Sequence, residues 1–128
     1  MRIDLLRSGL IDDLVIDARV VRLTRSGDAK YRIEIEGEAD LQIEVWTTRK
    51  SRLLAEEHEP PPDWVGPVVR SDERLDQLEA TNCLVHLEQM DRRSYFLGLS
   101  RELDSWGLSF SSPAYAKARV VSDGPIAG

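Results

Sequence analysis

The chain has 128 residues, 41% of them hydrophobic and 31% charged, and its 17 basic and 23 acidic side chains give a formal net charge of −6. That length and balance suit a single domain spanning 1–128 with an ordinary core, and they exclude collagen-like, disordered and disulfide-rich chains. The lone cysteine, Cys83, excludes an intramolecular disulfide and a multi-cysteine zinc site.

At the start of the chain, Asp4 and Arg7 interrupt the apolar run before it reaches signal-peptide length. No later run approaches the roughly 18 apolar residues of a membrane span. A cytoplasmic protein is therefore expected. Leu14, Ile16, Ala18 and Val20 then alternate with Val15, Asp17 and Arg19, after which Val21 and Leu23 carry the apolar phase. Such a slip predicts a strand with a β-bulge near Val20 and Val21. Ser26-Gly27-Asp28 supplies a turn. Tyr31, Ile33 and Ile35, then Leu41, Ile43 and Val45, alternate with polar residues around the turn Gly37-Glu38-Ala39-Asp40. Residues 14–48 thus read as a three-stranded antiparallel meander, with Ile35 opposite Ile43 and Ile33 opposite Val45.

Residues 54–82 read differently, as an acidic, proline-rich connection followed by a short helix. Glu56 to Asp63 contains three consecutive prolines, which favour extended surface chain. Ser71 is placed to cap a helix whose first turn holds Asp72 and Glu73 and whose apolar stripe is Leu75 and Leu78. Beyond it, Leu84–Glu88 and Tyr95–Leu99 flank the polar turn Met90-Asp91-Arg92-Arg93 and predict a second hairpin. Gly107–Ser111 continues as a strand. Tyr115–Val121 is compatible with strand or with a helix capped by Ser112-Pro113, and its alternation favours strand. The expected fold is mainly β, with α+β as the alternative: an antiparallel open barrel or sandwich of about six to eight strands and one or two short helices.

Charge is segregated along this chain. Met1–Leu53 holds ten acidic and ten basic residues, whereas Leu54–Asp104 holds twelve acidic and five basic, a net of −7. An acidic centre argues against nucleic acid and against anionic membranes, and it suits a basic protein partner drawn in electrostatically. The candidate partner-binding residues are Glu56, Glu57, Glu59, Asp63, Trp64, Asp72, Asp76 and Glu79. In the expected helix Asp72, Asp76 and Glu79 share a stripe, and Trp64 supplies an aromatic anchor. The competing reading of Trp64 and Val65 is that they fold back over a sheet edge.

Candidate chemistry is sparse. His86 and Glu88 share a strand face, but no third ligand stands near them, so no metal, cofactor or catalytic residue is expected. Cys83 and His86, three apart on a strand, point to opposite faces and cannot act together. Trp46 lies on a polar face where Arg32 is available to stack on it. No Gly-x-Ser-x-Gly elbow and no phosphate loop occurs.

Ile16–Leu23, the hairpin after it, and the closing Leu108-Ser109-Phe110 and Ala118–Ser122 resemble small β-rich bacterial immunity proteins of polymorphic and contact-dependent toxin systems. The resemblance covers the strand pattern at the two ends and carries over no functional residue. It implies an intracellular, non-catalytic inhibitor, monomeric or homodimeric, that neutralises a toxin domain. The alternatives are a small-ligand-binding barrel or sandwich and, third, a small hydrolase-type enzyme.

Overall fold

The computed structural model describes residues 1–123, and every regular element in it is a strand. In chain order these are β1 (Arg2–Leu5), β2 (Ile11–Arg25), β3 (Lys30–Gly37), β4 (Leu41–Trp46), β5 (Leu54–Glu57), β6 (Val65–Ser71), β7 (Arg74–Asp91), β8 (Ser94–Arg101), β9 (Asp104–Ser111) and β10 (Lys117–Asp123). They form one open antiparallel sheet of order β10-β4-β3-β2-β7-β8-β9-β5, with β1 added beside β2 and β6 beside β7.

The spine is the pair β2–β7, in register from Asp13–Glu88 to Thr24–Gln77. Each of these long strands changes its outer neighbour half-way. β2 holds β1 on its first part and β3 on its second. β7 holds β6 on its first part and β8 on its second. Two half-sheets therefore share one spine: a meander half built from β10, β4, β3 and β6, and a second half built from β1, β8, β9 and β5.

The phase slip in β2 has its expected cause, because the β2–β3 register shifts between Ala18 and Val20. β7 slips at the same level, where buried positions step from Ala80 to Cys83 and Asn82 takes a φ of +52°. Bulges facing each other in two paired strands bend both, and the half-sheets close over one core. Tyr31 of β3 meets Phe110 of β9 with ring centroids 5.2 Å apart. The Tyr31 hydroxyl donates to the Leu75 carbonyl at 2.7 Å, and the Tyr95 hydroxyl to that of Ile11. At the far edges Arg70 of β6 grips Glu57 of β5 at 2.8 Å, so side chains join strands that share no ladder. Gly37 stands where the bend is tightest: a Cβ there would lie 2.4 Å from the Asp17 carbonyl oxygen.

The meander, its order and the hairpin β7–β8 agree with the expectation, as does the strand over 117–123. The meander register differs by two residues, with Ile33 opposite Ile43 and Ile35 opposite Leu41. A shift of two keeps every apolar residue on the same face, so burial alone cannot choose between the registers. The strand number is ten rather than six to eight, and the described residues contain no helix. Where a helix was expected, Ser71 ends β6 and Arg74 begins β7. Asp72 and Glu73 between them have φ of 49° and 62°, the left-handed pair of a tight hairpin turn. The helix-like spacing of Leu75 and Leu78 arises from a register shift between Val69 and Arg70 on β6, opposite Gln77 and Leu75. The expected linker likewise contains β5 and β6. Among the described residues no helix is long and apolar enough to cross a membrane.

Candidate functional site

Residues paired across an antiparallel ladder share a face, so the registers define what each half-sheet presents outward. On the second half, one row runs Asp4, Asp13, Glu88, Phe96, Ser109 and Glu56 across β1, β2, β7, β8, β9 and β5. The neighbouring row runs Arg2, Val15, His86, Gly98 and Gly107. His58 continues it, since its backbone N–H donates to the Gly107 carbonyl at 3.2 Å. The chain's two histidines thus flank a bare glycine pair.

His86 Nε2 lies 2.7 Å from Asp13 Oδ1 and 3.7 Å from Glu88 Oε2. Arg2 binds the other Asp13 oxygen. Partial burial pushes the Asp13 carboxyl up, but the hydrogen bonds from His86 and Arg2 outweigh it and hold the group below its ordinary value. An ionised Asp13 accepts, so Nε2 of His86 carries the proton of this contact. Across the glycines, His58 Nε2 sits 2.7 Å from Ser109 Oγ, and its ring is 5.9 Å from that of Phe96.

Phe96 lies over the glycine pair. A Cβ on Gly107 would come within 2.5 Å of its ring, and one on Gly98 within 3.0 Å. Beside the ring opens a cleft of about 430 Å³, bounded by His58, Glu59, His86, Ser100, Ser105 and Trp106. The Trp106 indole N–H, donating to the Glu59 carbonyl at 2.9 Å, fixes the chain that forms one wall. Among the described residues no group of three metal-ligating side chains is present. The His58–Ser109 bond joins a base to a hydroxyl, but no carboxylate orients that imidazole among the described residues.

The outward face of the meander half is balanced by pairing. Arg22 binds Glu79 at 2.9 Å and Arg25 binds Asp76 at 2.6 Å. Lys30 and Arg32 both approach Glu44. Arg119 of β10, rather than Arg32, lies over Trp46, 5.2 Å from the ring centroid. Ser71 and then Arg25 hold the Asp76 carboxyl low, and Arg74 does the same for Asp28.

These contacts place the eight candidate partner-binding residues. Asp76 and Glu79 are ion-paired on the meander half, and Glu57 is committed to Arg70. Asp72 is at the β6–β7 turn, so the three-acid stripe on a helix does not form. Trp64 is half-buried against the core, its indole nitrogen enclosed and without a partner, while Val65 is buried. Asp63 is exposed just before it, and Glu56 and Glu59 stand at the second half's face beside the cleft. Cys83 points inward, away from His86, with burial pushing its thiol up to about 11.

The Asp13–His86 contact joins residues 73 apart in sequence, and only the β2–β7 register brings them together. The alternation did place His86 with Glu88 on one face; nothing local pointed to the third member. Trp106, just ahead of the expected strand Gly107–Ser111, is itself a buried strand residue. Comparison of the chain with protein-family models, with curated proteins and with solved structures found no match.

Proposed function

We propose that this protein is a non-catalytic, intracellular binder of a basic partner protein, in the manner of an immunity protein holding a toxin domain. The outward face of the second half receives the partner. The observation that carries the reading is the row Asp4–Asp13–Glu88, in which like charges stand directly opposite one another on three strands. Like charges in that arrangement cost folding free energy. Arg2 and His86 offset part of the repulsion, and Asp17 and Glu56 extend the negative field on either side. A cationic surface laid on these rows reverses the sign of the interaction and is steered to it from a distance.

Affinity capture with three baits tests this: the parent chain, a variant with Asp4, Glu88 and Glu56 changed to Lys, and one with Glu34, Glu36 and Glu79 changed to Lys. The parent and the meander-half variant should retain the same basic protein, released by salt, and the first variant should lose it. Retention of that protein by all three baits, or capture of no basic protein by the parent, refutes the reading.

A further inference from the structure

We infer that the cleft between His58 and His86 is the seat of an arginine side chain presented by that partner. For its occupant, this inference rests on the basic-partner reading. The chemistry of the walls selects the ligand. Glu59 brings a carboxylate, and Ser100 and Ser105 bring hydroxyl oxygens. The set asks for a ligand rich in donors and positively charged. An anion would meet Glu59 and, at the mouth, Glu88 and Asp13. A metal ion would have to displace the 2.7 Å hydrogen bond between Asp13 and His86.

Shape narrows the choice between the two common cations. The cleft floor is the Phe96 ring, which lies over the side-chain-free Gly98–Gly107 pair and offers a flat π-face. A guanidinium is planar, stacks on aromatic faces and spreads five N–H donors in a fan. An ammonium is compact, strongly hydrated and indifferent to a flat slot. The cleft volume of about 430 Å³ admits one long side chain together with the water it displaces. Trp106, tied to the Glu59 carbonyl, holds the wall in place before a ligand arrives, so little ordering remains to be done on binding.

The test is a titration of the intact chain with N-acetylarginine amide, whose only charge is the guanidinium, followed by amide and indole N–H chemical shifts. The signals of Gly98, Gly107 and the Trp106 indole should move together and saturate. N-acetyllysine amide should bind roughly tenfold more weakly, and Glu59→Gln, at an exposed position that leaves the Trp106 hydrogen bond intact, should weaken the arginine probe several-fold. Shifts that never saturate, equal response to both amides, or an unchanged response in E59Q overturn the inference. Its failure is separable from that of the basic-partner reading. Salt-sensitive capture of a basic protein by a chain whose cleft ignores the amide leaves the carboxylate rows as the docking surface and removes the arginine seat. Saturable binding of the amide with no protein captured removes the partner and leaves a guanidinium site.

Discussion

The two outward faces of this sheet are built on the same pair of strands, yet they treat charge in opposite ways. On the meander half three carboxylates have a cation across the ladder: Glu79 has Arg22, Asp76 has Arg25, and Glu44 has Lys30 and Arg32. On the second half Asp4, Asp13 and Glu88 stand opposite one another, bridged by Arg2 and His86, beside the Gly98–Gly107 pair. The first arrangement is what a chain does to make a solvated face stable by itself. The second sets like charges against one another, and like charges directly opposite cost folding free energy.

The sharpest break in this comparison comes from the glycines. At Gly37 an added methyl would strike the backbone of Asp17 and Ala18, which cannot move without opening the bend. Gly37→Ala should cost about 3 kcal/mol, read as a loss in urea midpoint. At Gly107 the obstacle is the far end of the Phe96 ring, which can swing away. Gly107→Ala should cost only about 1 kcal/mol while abolishing arginine-amide binding, because the displaced ring enters the cleft. Equal losses at the two sites would mean that the second glycine pair is merely structural.

Each half is next closed on itself by one buried phenol, Tyr31 on Leu75 in the meander half and Tyr95 on Ile11 in the second. Tyr31→Phe and Tyr95→Phe each strand a buried carbonyl and should lower stability by about 1–3 kcal/mol. Burial pushes both phenols from 10 up to about 12. A raised pKa means that the folded state favours the protonated form. That stability is complete below pH 10 and is lost as pH climbs towards 12. Denaturant melts between pH 8 and 12 should show the loss in the parent, and each substitution should make it shallower.

Acid should act on both halves, and one lowered carboxylate in each reports it. Asp13 and Asp76 are held below their ordinary value, so their contribution is present above that value and fades as pH falls through the lower folded one. Asp13→Asn and Asp76→Asn should each flatten the decline in melting temperature on the acid side of pH 4. An unchanged profile in either variant would show that its ion pair contributes nothing to the fold.

The smallest effect carries the clearest sign. Glu79→Lys breaks a cross-strand pair and should destabilise by about 0.5 kcal/mol. Glu88→Lys sets a cation opposite Asp13 and should stabilise by a similar amount. Paired urea titrations at low salt measure the difference, and adding salt should shrink both. Destabilisation by both changes would remove the contrast between the faces.

By itself the sequence determined the strands of the meander and of the β7–β8 hairpin and which side of each is buried. Alternation at Tyr31, Ile33 and Ile35 or at Leu41, Ile43 and Val45 is a local property, dictated by the two-residue period of the pleat. The bulge near Val20 was legible for the same reason, as a break in that period. Legibility failed where two residues outside the period mimicked another one. Leu75 and Leu78 imitate a helical stripe because a bulge lies between them, and Asp72-Glu73 imitates a helix start because acidic residues suit both a first turn and an exposed hairpin tip. The candidate site was beyond local reading altogether. Asp13 reaches His86 and His58 meets Ser109 only after strands distant in sequence have been aligned, and Gly98 meets Gly107 only in one register of the β8–β9 hairpin. Register is set by the turns and by how neighbouring strands pack together, and a shift of two residues in any ladder preserves every local pattern while moving every cross-strand neighbour. The pattern of polar and apolar residues therefore specifies the faces, and only the assembled sheet decides which side chains meet on them.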